Sequence, residues 1–156
     1  MRTSTMRELL AAQDVFSDLA PDDLALLATC SRNEQFRAGS LVAREGEPAE
    51  CFYLVRHGRL AIELHSPGGT LRIDTAGPGE LAGWSWLFPP YRWTADVRAV
   101  EPTRLVAIDG RCLRDKCEAE PVFGYRMMHR FNRVLTHRLE AMRLRLLDLY
   151  RGTRVS

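Results

Sequence analysis

The sequence predicts an α+β domain: a sandwich or barrel of short antiparallel strands, preceded by short helices and followed by one long helix. Three observations predict it. From Asn33 to Ile108, apolar or alternating runs recur between turns rich in glycine and proline, the pattern of short strands in layered or closed β-structure. Before Asn33 and after Asp109-Gly110 the apolar positions switch to helical spacing. At 156 residues, 46% apolar and 27% charged, the chain has the size and composition of one globular domain with a substantial core. Its divisions are expected at 1–32 for a helical cap, 33–109 for the strands, 110–151 for C-terminal helices and 152–156 for a tail.

The elements follow in order. Met6 to Gln13 reads as a short helical opening, followed by Val15-Phe16 and Leu19. Pro21 suits a first helical position, and Asp22 and Asp23 fall in the first turn, where the helix dipole favours anions. Leu24, Leu27 and Ala28 give that helix one apolar face. Strands are expected around Phe36, at Leu41–Ala43, Cys51–Val55, Leu60–Leu64, Thr70–Asp74, Thr94–Val100 and Thr103–Ile108. Ala38-Gly39-Ser40, Glu45-Gly46-Glu47-Pro48, His57-Gly58 and Ser66-Pro67-Gly68-Gly69 supply the turns between the earlier ones.

The stretch around which the rest is organised is Gly77 to Ala99, GPGELAGWSWLFPPYRWTADVRA. Gly77 and Gly79 admit a tight turn, and Gly83 a close backbone approach. Trp84 to Phe88 reads as a short helical turn that Pro89 and Pro90 stop. A loop held between strands is where a β-scaffold usually keeps a ligand pocket.

Past Asp109, a short helix is expected around Arg111 to Glu118, and Pro121 as the first residue of a long one. Phe131, Leu135, Leu139, Met142, Leu146 and Leu149 recur at spacings of four and three, a heptad-like seam. A helix of ~28 residues would be ~42 Å long, longer than one face of so small a domain. The seam is therefore expected to make a homodimer interface. Arg126, Arg130, Arg133, Arg138, Arg143, Arg145, Arg151 and Arg154 stand there against Glu140 and Asp148. No aromatic interleaving or recognition-helix pattern accompanies them, so a solvated basic face is expected rather than direct nucleic-acid binding.

Several function classes are excluded or disfavoured. No apolar run approaches the ~20 residues of a membrane span, and MRTSTMRELL lacks a signal-peptide core; a cytoplasmic protein with no membrane partner is expected. The net charge of +2 decides nothing by itself. Cys30, Cys51, Cys112 and Cys117 form no CxxC pair and are expected as thiols in a reducing compartment. The four histidines are scattered, with no His-x-His before a carboxylate, and there is no Gly-x-Ser-x-Gly and no P-loop. No metal site, cofactor, catalytic residue or enzymatic role is expected.

Gly79-Glu80-Leu81-Ala82-Gly83, then Leu87-Phe88, then Thr94-Ala95-Asp96-Val97-Arg98-Ala99 resembles the phosphate-binding cassette of cyclic-nucleotide-binding domains, the sensor domains of bacterial cyclic-AMP receptor-like regulators, protein kinase A regulatory subunits and gated channels. The turn glycines 39, 46, 58 and 79 fit the same frame, and the resemblance extends over about residues 15 to 150. It implies an antiparallel β-roll (a cupin-like double-stranded jelly roll) with short N-terminal helices and a long C-terminal helix that dimerises and lids the pocket. It also implies a candidate pocket of Gly79, Glu80, Leu81, Ala82, Gly83, Trp84, Ser85, Arg92, Trp93, Thr94 and Ala95, with Met142 and Arg143 on the facing helix where the family places hydroxyl residues that touch the base.

Two departures bear on chemistry. Trp84 stands where the family keeps a glutamate for the ribose hydroxyl, and Trp93 where it keeps the arginine that pairs with the cyclic phosphate. Charge-assisted hydrogen bonds contribute roughly 1.5–3 kcal/mol each, so losing both should weaken binding on the order of 10²–10⁴. Arg92 lies one residue before the expected arginine; a one-residue slip reverses a strand side chain, though the Pro-Pro-Tyr loop could re-aim it. Trp84, Trp86 and Trp93, with Phe88 and Tyr91, either fill the vacated pocket or line one for a flat or apolar small-molecule effector. The bacterial regulators carry a further helix-turn-helix domain, and this chain stops at Ser156. The expected function is a stand-alone dimeric sensor module that does not bind cyclic AMP or cyclic GMP in the usual way and signals through a separate, unidentified protein. The alternatives are a genuine cyclic-nucleotide receptor clamping phosphate with Arg92, or a transcription-associated regulator acting through a separate DNA-binding partner. An enzyme on a cupin-like roll is disfavoured by the missing metal ligands.

Overall fold

The computed structural model of the protein describes residues 5–154. Thr5 caps α1 (Met6–Ala11), its hydroxyl oxygen accepting from the Glu8 N–H at 3.2 Å. A 3-10 turn at Asp14–Phe16 buries Phe16, and α2 (Pro21–Thr29) starts on Pro21 and buries Leu24 and Leu27. These are the short helices that the apolar spacing predicts.

The described residues then form eight strands in two four-stranded antiparallel sheets. They are β1 (Ser31–Phe36), β2 (Leu41–Ala43), β3 (Cys51–His57), β4 (Leu60–Ser66), β5 (Gly69–Ala76), β6 (Leu81–Ala82), β7 (Asp96–Ala99) and β8 (Thr103–Asp109). One sheet runs β1-β8-β3-β6, the other β2-β7-β4-β5. Residues of both sheets meet in one core that includes Val55, Leu60, Val97, Leu105 and Ala107. Crossing between sheets at every successive strand except the β4–β5 hairpin is the β-roll that the resemblance implies. β3 is central, and its first five residues are all buried, so the alternation expected of a half-exposed strand is absent there. Gly58, at φ +91°, turns β3 into β4; an added Cβ would lie 2.5 Å from the Pro102 carbonyl oxygen, so no larger residue fits.

The long helix begins where Pro121 predicts. α3 (Gly110–Ala119) precedes α4 (Pro121–Arg154), which has 34 residues. Residues 152–154 of the expected tail continue α4, and residues 155–156 lie outside the described residues. Packing divides the chain into two compact units between Lys116 and Cys117. In the second unit Gly124 sits so close to the Cys117 carbonyl that a Cβ there would be 2.7 Å from its oxygen, which fixes the α3–α4 corner. Along α4, Phe131 of the predicted seam is buried and Leu135 half-buried, whereas Leu139, Met142, Leu146 and Leu149 are exposed. No described helix is long and apolar enough to cross a membrane.

One expectation is corrected outright. Cys30 and Cys112 are joined by a disulfide, with Cα atoms 5.6 Å apart, while Cys51 and Cys117 are free thiols. The pair is 82 residues apart in sequence, and no local spacing encodes such a connection. It forms because β1 and β8 run side by side: the Asp109 N–H donates to the Cys30 carbonyl at 2.8 Å, which brings the end of α2 against the start of α3.

Candidate functional site

The cassette is built from local turns fixed to β3. Gly79, at φ +86°, closes the first turn, with the Glu80 N–H donating to the Gly77 carbonyl at 3.0 Å. The Glu80 carboxylate accepts from the Gly77 N–H at 3.0 Å, so this side chain is engaged by its own loop. The Gly79 N–H donates to the Val55 carbonyl at 2.8 Å and the Val55 N–H to the Glu80 carbonyl at 3.0 Å. Leu81 and Ala82 are buried in β6, paired with Leu54 and Tyr53.

Residues 84–90 then form turns instead of the predicted short helical turn. The Leu87 N–H donates to the Trp84 carbonyl at 3.2 Å and the Tyr91 N–H to the Phe88 carbonyl at 3.0 Å. The Pro89–Pro90 peptide is cis and Tyr91 takes φ +53°. With two adjacent prolines, the segment lacks the N–H groups a helix would need to continue.

After Tyr91 the chain runs antiparallel to residues 46–49. The Ala49 N–H donates to the Tyr91 carbonyl at 2.7 Å, the Trp93 N–H to the Glu47 carbonyl at 2.9 Å, and the Gly46 N–H to the Trp93 carbonyl at 2.8 Å. Extended backbone alternates its side chains, and this pairing decides which of Arg92 and Trp93 faces inward. Trp93 does: it is 8% exposed, belongs to the core of the roll and stacks on Tyr53 at 6.1 Å. Burial there also pushes the Tyr53 hydroxyl pKa well up. Arg92 is exposed, its guanidinium donating to the Gly46 carbonyl at 2.9 Å. Gly83, at φ +102°, makes room for the indole: a Cβ would lie 2.5 Å from Trp93 Cη2.

The remaining predicted residues divide in the same way. Trp86, 0% exposed, stacks on Phe52 with ring centroids 4.5 Å apart, on the other side of β3 from Tyr53. Trp84 and Ser85 are half-buried, Ala95 is buried and Thr94 exposed. Met142 and Arg143 are exposed residues of α4, in the second unit. The structure thus brings Gly83 and Trp93 together with Tyr53, and turns Arg92 outward.

Sequence reasoning missed two parts of the site. Arg114, on α3, donates from its guanidinium to the Trp86 carbonyl and lies 4.1 Å over the Tyr91 ring, so one side chain holds both ends of the aromatic loop. Beside it is a pocket of about 440 Å³ lined by Pro48, Ala49, Glu50, Tyr91, Asp109, Arg111 and Arg114. Nothing in the spacing of Arg114 distinguishes it from the other surface arginines. The second part is a charged ladder on β4 and β7. His65 Nε2 lies 2.6 Å from Asp96 Oδ2, and Arg98 donates to Glu63 at 3.0 Å and to the Gly39 carbonyl at 2.8 Å. Buried Asp96 also accepts from the Glu45 N–H at 2.8 Å, which ties the loop before Gly46 to the cassette strand.

The Glu45 N–H, and after it His65, hold the Asp96 carboxyl below the usual carboxylate range, outweighing the effect of burial. Because the folded-state value is depressed, its stabilising contribution is complete above the unfolded value of about 3.9 and is lost as pH falls through the folded one. Asp96→Asn should therefore destabilise the protein by roughly 1–3 kcal/mol at pH 7. In urea unfolding the gap from the parent should narrow below about pH 4; a gap that stays constant to pH 2 would assign the loss to packing.

Comparison with known proteins follows the same frame. Residues 33–120 match the family described as "Cyclic nucleotide-binding domain". A "CRP-like cAMP-activated global transcriptional regulator" of Mycobacterium tuberculosis is 28% identical over 145 residues, which is 92% of this chain and 63% of that protein. The chain thus spans under two thirds of that relative's length. A crystal structure described as a putative cyclic nucleotide-binding protein from Geobacter metallireducens is similar at 28% identity and a TM-score of 0.76, covering 88% of this chain and 99% of that one. A domain from Methylobacillus flagellatus, at 19% identity and a TM-score of 0.77, shows the shared fold.

Proposed function

The chain belongs to the cyclic nucleotide-binding domain family, whose members are regulatory rather than catalytic modules, and from that premise we propose that it is a regulatory sensor module that does not bind cyclic AMP or cyclic GMP in the family's usual way. The observation that carries this reading is the burial of Trp93. At the position where the family resemblance places the phosphate-pairing arginine, an indole stacks on Tyr53 inside the roll. An indole offers a cyclic phosphate one N–H in place of a charged two-pronged donor. The neighbouring Arg92 is engaged at the surface by the Gly46 carbonyl, and Glu80, the nearest carboxylate in the loop, by the Gly77 N–H.

The module acts as a homodimer through α4 and signals to a partner protein. What supports the dimer is the row Leu139, Met142, Leu146 and Leu149, all exposed on a 34-residue helix. Exposed apolar residues at heptad spacing are the pattern of a helix–helix seam.

Calorimetric titration with cyclic AMP and cyclic GMP tests the reading, run in parallel on Arg92→Ala. No heat is expected up to millimolar nucleotide. Binding in the low micromolar range, lost in the variant, would overturn it and make Arg92 a phosphate clamp. Sedimentation of the same preparation should give twice the 17.7 kDa chain mass; a monomer at all concentrations would remove the dimer.

A further inference from the structure

The Cys30–Cys112 bond joins the C-cap of α2 to the first turn of α3. Two residues further along α3 is Arg114, the side chain that holds the Trp86 carbonyl and the Tyr91 ring. A covalent tie thus ends within one helical turn of the group that clamps the aromatic loop. Without the bond, the start of α3 would keep three hydrogen bonds: the Asp109 N–H to the Cys30 carbonyl, the Gly110 N–H to the Glu50 carbonyl, and the Cys112 N–H to the Asp109 carboxylate, each 2.8 Å.

We propose that Cys30–Cys112 is a thiol–disulfide exchange site, through which a low-molecular-weight thiol and its disulfide set how firmly α3 holds the aromatic loop. The two cysteines are unequally exposed: Cys30 is 5% exposed and Cys112 half-buried. An external thiolate therefore attacks the Cys112 sulfur. A new bond forms between it and the thiol, the Cys30–Cys112 bond breaks, and the Cys30 thiolate leaves and takes up a proton. A second thiolate attacks the external sulfur of the mixed disulfide, releasing the small disulfide and the Cys112 thiolate, which is protonated in turn. Two external thiols are oxidised for one protein disulfide reduced, and the small disulfide drives the reverse. The other two cysteines are poor competitors, since burial pushes both the Cys51 and the Cys117 thiol up from the ordinary value. The inference stands whether or not a nucleotide binds.

The test uses the wild-type chain. Under limiting reduced glutathione, rapid acid quench and peptide mass mapping should find the mixed disulfide on Cys112, with Cys30 as the free thiol. Glutathione on Cys30 instead, or a bond that a tenfold excess over protein leaves intact, would overturn the assignment. Hydrogen exchange then compares oxidised and fully reduced protein. Amides in 84–91 and 110–114 should exchange about ten-fold faster or more on reduction, with the β4–β5 hairpin little changed. A uniform rise throughout the chain would make the bond a global staple only. Arg114→Gln, kept oxidised, separates the two links: it should speed exchange in 84–91 and leave 110–112 protected. If 84–91 stays protected in that variant, Arg114 does not transmit the effect.

Discussion

Trp93→Ala is expected to lower folding stability by about 3–5 kcal/mol, the range for emptying a buried aromatic site, and the Tm by roughly 6–20 °C for a chain of this size. The indole is 8% exposed, stacks on Tyr53 and shares a core with Val55, Leu60, Val97 and Leu105. It also sits against Gly83, where even a Cβ would clash, so neighbouring backbone has no ready way to collapse into the space. Thermal unfolding followed by circular dichroism reads the effect, with Trp93→Phe, which keeps a stacked ring, expected to lose clearly less. The measurement also separates the two roles open to this residue. An indole lining a solvent-filled pocket would lose under about 1 kcal/mol on truncation, close to a surface substitution, and a loss that small would reopen the search for an effector inside the roll.

The second large effect belongs to the cross-link. In Cys30→Ser/Cys112→Ser, closing a loop of this length is worth about 4.5 kcal/mol by the chain-entropy relation, and disulfides in practice contribute 2–4 kcal/mol. A fall in the Tm of roughly 4–16 °C is expected, read in urea as a lower midpoint together with a steeper slope, because the unfolded chain is freer to expand. A loss under about 1 kcal/mol would mean that the hydrogen bonds around Asp109 already hold what the bond holds.

The parts of this fold that were legible in the sequence are those set by near neighbours in the chain. Pro21 and Pro121 mark helix starts because their fixed φ and missing N–H suit that position alone. Leu41–Ala43 and Thr103–Ile108 are strands as their apolar runs predict, and Gly39, Gly46, Gly58 and Gly79 all take the positive φ their turns need. What could not be read depends on distant pairing. Arg92 and Trp93 are adjacent, and which faces the core follows from hydrogen bonds to Gly46, Glu47 and Ala49, residues some forty-five positions earlier. The partner of Cys30 follows from β1 lying on β8. Trp84 to Phe88 carries enough apolar residues to look like a helical turn, but the prolines behind it and Arg114 from α3 settle it as a bound loop.

The covalent map of the chain has a mechanical consequence. All eight strands lie between Cys30 and Cys112, so the bond closes the roll into a ring. The helices before it and the helices after it leave that ring from two Cα atoms 5.6 Å apart. Tension applied between the two ends of the chain would cross the sulfur–sulfur bond and bypass the strands. Reduction would put the whole roll in line with the load, adding on the order of 280 Å of contour at about 3.4 Å per residue.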